Sequence, residues 1–238
     1  MAALYLIRHG QASFGQADYD LLSNKGCEQA FVLGQSWQKH KSPTSCYAGS
    51  LLRHEQTKHH FYRGLEKEPL NFICHSGFNE FNHQDILVKY QPQWRKFDEM
   101  DKYFAQFPDP KKALAIAFES AVERWMSGDY DDEYKESWPK FQHRCIQALE
   151  DLIKQQTAFK GTSEDQSQEI VVFTSGGPIT VILSHVLGLS RAQGLALNQQ
   201  LRNTSVTKLL FDKQRISVDF YNNYSHLSQC DAELITFR

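Results

Sequence analysis

Ile170, Val171, Val172 and Phe173 form an unbroken β-branched and aromatic run that passes directly into Thr174-Ser175-Gly176-Gly177-Pro178 and then into the apolar segment Ile179 to Leu187. With no polar alternation, both faces of the run need cover, which predicts a strand inside a sheet. Pro178 suits the first turn of the helix that follows, where its missing N–H would have had no partner. A buried strand that turns through glycines into a helix is the unit of parallel α/β folds. It places the turn at the carboxyl edge of the sheet, where ligands of such folds bind.

The same alternation recurs along the chain. Leu4 to Ile7 is a second apolar run, stopped by Arg8-His9-Gly10 and followed by a polar loop containing Gly15. Three-to-four spacing of Ala30, Phe31, Leu33, Gly34 and Trp37 predicts a helix capped at Ser23 or Asn24 and ending before Ser42-Pro43. Ser45 to Ala48 reads as a strand, Leu52 to Tyr62 as a helix, and Asn71 to Cys74 as a short apolar run before Ser76-Gly77. From about 84 to 136 the alternation breaks. Trp94, Phe97, Tyr103, Phe104, Phe107, Phe118 and Trp125 lie on otherwise polar, helix-like segments interrupted by Pro108-Asp109-Pro110 and Ser127-Gly128-Asp129, as in a helical insertion. Pro139 to about Phe159 reads as an amphipathic helix, Gly161 to Gln168 as a solvated loop, and Val206 to Phe211 with Ile216 to Tyr221 as a hairpin across Asp212-Lys213-Gln214. The expected fold is α/β, a three-layer sandwich with a mostly parallel central sheet, helices on both faces and a helical insertion, residues 1–238 forming a single domain.

Among 238 residues, 28 acidic side chains stand against 26 Lys and Arg, a formal net charge of -2. That balance speaks against partners gripped by a broad basic surface, so neither nucleic acid nor an anionic membrane is expected, and a bound anion must be held by a local cluster. Cys27, Cys46, Cys74, Cys145 and Cys230 are odd in number and widely spaced, which reads as reduced thiols. Leu4 to Ile7 is too short for a signal-peptide core, and no eighteen apolar residues run together, so a cytoplasmic protein is expected. His54, His59 and His60 sit at offsets of five and six, which do not share a helix face, and no Gly-x-x-x-x-Gly-Lys loop occurs; no metal site and no cofactor are expected.

Two suggestive local sequences, Arg8-His9-Gly10 and Ser175-Gly176-Gly177, sit just past predicted strand ends. Arg8 and His9 follow the first strand, Arg53 begins the second helix within Ser50-Leu51-Leu52-Arg53-His54-Glu55-Gln56-Thr57, and Glu80 follows Gly77-Phe78-Asn79. Two guanidinium forks suit a phosphoryl group, whose charge is spread over three oxygens. Taken together with Leu22-Ser23-Asn24-Lys25-Gly26, Gln29-Ala30, Val171 to Pro178, Asn203-Thr204-Ser205-Val206 and His226-Leu227, this ordered set resembles the histidine phosphatase superfamily, in its phosphoglycerate-mutase-like branch. The resemblance implies that His9 attacks phosphorus and becomes a phosphohistidine that water hydrolyses. It implies that Arg8 and Arg53 bind the phosphoryl oxygens and that Glu80 protonates the leaving oxygen and then activates water, for which burial should raise its pKa. It implies a phosphomonoester phosphatase that needs no metal and acts on a small-molecule phosphomonoester or inorganic phosphate, with a protein phosphosubstrate left open. By the same analogy the helical insertion shapes substrate choice.

One position departs from the pattern. Where most members of that family carry a second histidine, this chain has Ser175 followed by Gly176 and Gly177. The loss of one preorganised donor corresponds to about a hundredfold in rate, so a slow phosphatase is expected. The Ser175 hydroxyl and the amides of Gly176 and Gly177 at a helix start can still bind phosphate, and His226 and His83 are candidate auxiliary imidazoles. On this reading Ser175→His leaves activity the same or raises it. Alternatives are a phosphate-ligand binding protein with vestigial catalysis, phosphoglycerate-mutase-type phosphoryl transfer and, remotely, an esterase in which Ser175 works with Asp212 or Asp219 and His226.

Overall fold

The computed structural model describes residues 2–13, 20–95, 97–158 and 168–237. The loop expected around Gly15, most of the one expected from Gly161 to Gln168, and Phe159 lie outside the described residues. In chain order the elements are β1 (Ala2–Arg8), α1 (Asn24–Trp37), β2 (Ser45–Ala48), α2 (Leu52–Leu65), β3 (Phe72–Cys74), α3 (His83–Tyr90), α4 (Phe97–Phe104) and α5 (Pro110–Ser127). They continue with α6 (Trp138–Ala158), β4 (Glu169–Thr174), α7 (Gly176–Leu187), α8 (Arg191–Gln200), β5 (Val206–Phe211), β6 (Ile216–Asn223) and α9 (Ser225–Cys230).

The strands form one sheet in the order β3-β2-β4-β1-β5-β6. β4 lies between β1 and β2 and is parallel to both, and β3 is parallel to β2, whereas β5 runs antiparallel to β1 and β6 antiparallel to β5. All six residues of β4 are buried, as an apolar run without alternation requires. Strand pleating then divides its side chains between two cores. Ile170 and Val172 join Leu4 and Leu6 under α6 and α7, through Leu149, Leu152, Ile179, Ile182 and Leu183. Val171 and Phe173 join Ile7 beneath α1 and α2, through Leu33, Trp37, Phe61, Tyr62 and Leu65. The result is a mixed α/β architecture of three layers with a mostly parallel sheet. Its inner strands, β1 and β4, end side by side at Arg8 and Thr174.

Contacts divide the chain into two compact units, residues 1–80 with 145–238 and residues 81–144. The second unit has its own aromatic core. The Trp125 ring, 1% exposed, lies 5.0 Å from Phe81, 5.1 Å from Trp138 and 5.6 Å from Phe141, and Trp94 packs 5.1 Å from Phe104. Of the aromatic residues that mark this stretch in the sequence, Trp94, Phe104 and Trp125 are buried, whereas Tyr103 and Phe107 are exposed. Among the described residues, no helix is long and apolar enough to cross a membrane, and the five cysteines form no disulfide.

Candidate active site

The site lies where β1 and β4 end. Backbone pairing continues one residue past β1: the His9 N–H donates to Thr174 O at 2.9 Å, so the histidine leaves the sheet in a fixed direction. Its carbonyl accepts from Asn203 Nδ2 at 3.2 Å and from the Thr204 N–H at 3.3 Å. Gly10 turns the chain against α1; a Cβ at that position would stand 2.3 Å from Gly26 O, which only glycine avoids. The Gly10 N–H donates to Thr57 Oγ1 at 3.1 Å, and the same hydroxyl donates to Arg53 O at 2.7 Å. Helix α2 is thereby tied to the turn that carries His9.

The His9 ring is 8% exposed, and its Nδ1 lies 2.7 Å from Gly10 O. A carbonyl can only accept, so Nδ1 carries the proton and Nε2 holds a free electron pair. Burial, followed by the charges of Arg53 and Arg8 and the neighbouring His54, holds the ring's pKa well below the usual histidine range, against the opposing pull of the Gly10 carbonyl. His9 is therefore neutral at pH 7.

Two guanidinium groups flank it. Arg53, in the first turn of α2, is 6% exposed and pairs through Nη1 with Asp20 Oδ1 at 2.8 Å. The other oxygen of Asp20 accepts from the Leu52 N–H at 2.8 Å, which caps a helix whose own N-cap residue, Leu51, has no side-chain acceptor. Arg8 is half-buried and donates through Nη1 to Leu201 O at 2.5 Å. Glu80 is half-buried and accepts the Gly177 N–H at 3.1 Å, so the carboxylate sits on the amino-terminal end of α7. Gly176 is the first residue of that helix.

Ser175, the N-cap of α7, does not cap it: the hydroxyl turns away and meets His54 Nε2 at 2.7 Å. Both residues are 0% exposed, and the His54 ring centroid lies 5.9 Å from that of His9. An imidazole thus stands beside position 175 after all, delivered by α2. Sequence reading weighed His54 only as a metal ligand. The missed signal is its place directly after Arg53, in a chain whose position 175 lacks a ring. The geometry also reverses an expectation. A histidine at 175 has to share fully buried space with His54, so Ser175→His is expected to lower thermal stability by about 1–3 kcal/mol through overpacking and to reduce turnover. Calorimetry and steady-state kinetics on that variant check it.

Of the other candidates, His226, Asp212 and Asp219 are engaged with partners of their own. His226 Nε2 meets Thr204 Oγ1 at 3.1 Å, and burial pulls its pKa down to about 4. It supports Thr204, a β-branched residue held at φ 57° whose hydroxyl also donates to Asn203 O at 2.7 Å. Strain of that kind persists where surroundings fix it, here beside the His9 carbonyl. His83 opens α3, in the second compact unit. Asp212 accepts from the Gln214 N–H and from Arg215 in the hairpin turn, and Asp219 pairs with Lys208 at 2.8 Å. With His226 on Thr204, the Ser-Asp-His arrangement of an esterase is not assembled. Ser175 also has φ -121°, an ordinary extended value rather than that of a strained nucleophile turn. Among the described residues, no group of three or more His, Cys, Asp and Glu is placed to hold a metal ion.

The family model of the histidine phosphatase superfamily (branch 1) matches residues 4–224. The chain belongs to that superfamily. Among solved structures, this superfamily member is similar to a phosphoglycerate mutase from Bacillus anthracis, with 19% identity, 96% of each chain covered and a TM-score of 0.62. It is also similar to a mycobacterial glucosyl-3-phosphoglycerate phosphatase (19% identity, 93% of this chain and 99% of that one, TM-score 0.63). A mutant phosphoserine phosphatase from Entamoeba histolytica in complex with phosphoserine follows at 20% identity, 95% and 100% coverage and a TM-score of 0.61. No curated protein matches the chain by sequence. At these identities the solved structures show a shared fold.

Proposed function

We propose that this member of the histidine phosphatase superfamily hydrolyses phosphomonoesters through a phosphohistidine at His9, without a metal. The observation that carries the reading is the Nδ1 contact with Gly10 O, which leaves Nε2 unprotonated beside Arg8 and Arg53. In the first step Nε2 attacks phosphorus, the N–P bond forms, the P–O bond to the alcohol breaks, and Glu80 gives its proton to the leaving oxygen. Arg8, Arg53 and the Gly176 amide at the start of α7 hold the non-bridging oxygens as charge builds, the Gly177 N–H being taken by Glu80. In the second step Glu80 takes a proton from water, whose oxygen displaces His9 from phosphorus; inorganic phosphate leaves and Glu80 is protonated again.

The substrate class proposed is a small-molecule phosphomonoester, in a cytoplasmic protein, with the helical insertion expected at about 84–136 as the element that sets substrate choice. Similar folds bearing the names glucosyl-3-phosphoglycerate phosphatase and phosphoserine phosphatase support that class. The test is hydrolysis of an aryl phosphate in the presence of a chelator between pH 6 and 8. Sustained release of phosphate is the expected result. Phosphate binding without release would support a binding protein instead, and transfer to an added phosphoglycerate without net hydrolysis would support a mutase.

A further inference from the structure

Gln29 lies inside α1 and is 0% exposed, yet the hydrogen bonds of its side chain run to distant parts of the chain. Oε1 accepts the Gln11 N–H at 2.8 Å, while Nε2 donates to Leu234 O at 2.6 Å and to Thr236 Oγ1 at 2.8 Å. A main-chain carbonyl can only accept and a main-chain N–H can only donate, so these partners fix which end of the amide is which. The Thr236 hydroxyl gives its own proton to Asn203 Oδ1 at 2.9 Å, and Asn203 Nδ2 donates to His9 O at 3.2 Å. Gln29 and Asn203 thus tie the two sides of the turn that carries His9 to one hydroxyl of the carboxyl-terminal segment.

The peptide plane between Gly10 and Gln11 is the one that matters to the nucleophile. Its carbonyl takes the His9 Nδ1 proton, and its N–H is the group that Gln29 holds. The C=O and N–H of a trans peptide point in opposite directions, so holding one aims the other. With glycine on one side, the plane has more freedom to rotate than most and needs the tie. Building on the phosphatase reading of His9, we propose that Gln29 is a positioning residue for phosphoryl transfer: its amide, oriented by Leu234 and Thr236, locks the Gly10–Gln11 peptide so that the carbonyl keeps the proton on His9 Nδ1 and leaves the Nε2 electron pair for phosphorus. The other tautomer presents an N–H to the phosphoryl group and cannot attack. The tie also acts on charge. As the N–P bond forms the ring becomes cationic and Nδ1 a stronger donor, and a peptide whose N–H is already hydrogen-bonded offers a more polarised oxygen to meet it. Arg8 and Arg53 hold phosphoryl oxygens in either tautomer, so the effect falls on kcat rather than on ground-state binding.

The experiment compares wild type with Gln29→Met, which keeps the length of the side chain and removes its amide, and with Thr236→Val, which removes only a half-buried hydroxyl. Steady-state turnover of an aryl phosphate is measured beside the tautomer of His9, read by nuclear magnetic resonance from the ring nitrogens of protein isotopically labelled at its histidines and assigned by their loss in His9→Ala. In wild type the proton is expected on Nδ1. Gln29→Met is expected to lower kcat by about tenfold, with KM and inhibition by inorganic phosphate changed by less than about threefold, and to move both His9 signals toward the average of the two tautomers. Thr236→Val leaves Leu234 O to orient the amide and is expected to shift both readouts in the same direction, with kcat lower by about two- to fourfold. A wild-type ring protonated on Nε2, a wild-type kcat in Gln29→Met, or a loss of kcat with the His9 signals unmoved would overturn the inference, the last because a merely structural role lowers activity without touching the tautomer. Should Gln29→Met fail to melt cooperatively, wild-type kcat and signals in Thr236→Val overturn it on their own. Turnover that survives His9→Ala overturns the phosphatase reading and this inference together, whereas turnover lost in His9→Ala but unchanged in Gln29→Met overturns this inference alone.

Discussion

Replacing His9 by alanine is expected to reduce aryl phosphate hydrolysis by at least about a thousandfold while the protein still folds. Two physical arguments set the size of the effect. The reaction proposed here passes through a covalent N–P bond, and His9 is the residue whose free ring lone pair stands with both guanidinium groups at the strand ends. What is left without the nucleophile is the contribution of binding and electrostatic stabilisation, which in comparable covalent enzymes is a small residue of the full rate. The fold tolerates the change because the main-chain contacts of residue 9, to Thr174, Asn203 and Thr204, involve backbone atoms that alanine retains. Removing a positively repelled, buried imidazole also costs little packing compared with an apolar core residue. Circular dichroism and thermal melting verify the fold; turnover within about tenfold of wild type in a folded His9→Ala protein contradicts the account.

Acid is expected to destabilise the protein unusually early. His9, His54 and His226 are all buried with pKa values below that of a free histidine, and in each the first cause is loss of solvent; Arg53 adds to it for His54, and for His226 the value falls to about 4. A group whose pKa is depressed by folding contributes stability that is complete above its unfolded value, near 6.5, and is lost as the pH falls toward the folded value. In that window each such histidine is protonated in the unfolded chain and neutral in the native one. Each adds about 1.4 kcal/mol of lost stability per pH unit, and the three together about 4 kcal/mol per unit, against a total that for folded domains is about 5–15 kcal/mol. Denaturant unfolding at pH 6.3 and 5.3, above the range where carboxylates titrate, measures this slope directly. His226→Gln is expected to remove about a third of it. A slope below about 1 kcal/mol per unit contradicts the burial of neutral imidazoles described here.

Where the pattern is local, the chain is legible. The run Ile170 to Phe173 and the turn after it predict β4 and α7 because burial on both faces leaves a strand no polar positions, and Gly176, Gly177 and Pro178 suit a helix start. Ser45 to Ala48 and the hairpin Val206 to Phe211 with Ile216 to Tyr221 are likewise recovered, since alternation and turn residues lie within a few positions of each other. Ser23 caps α1 as the spacing suggests, accepting from the Gly26 N–H at 3.0 Å. The site is legible only in part. Arg8, His9, Arg53 and Glu80 stand out because together, in order, they fall in the pattern that resembles the superfamily, but Asp20, Thr204 and His54 act through partners far away in sequence. The His54–Ser175 contact spans 121 positions, and no periodicity reports on which helix start faces which strand end. A missing histidine at 175 therefore reads as a missing imidazole, while the fold brings one in from α2.

The claim on which the account turns is the covalent intermediate on His9, and trapping it tests that claim most directly. The enzyme is mixed with an aryl phosphate, quenched within milliseconds under alkaline denaturing conditions, digested and mapped by mass spectrometry. A phosphoryl group that resists base, is lost in acid and resides on the peptide containing His9, at no more than one per chain and absent from His9→Ala, is the predicted result. Turnover with no such adduct, or an acid-stable, base-labile phosphate on Ser175, would contradict it.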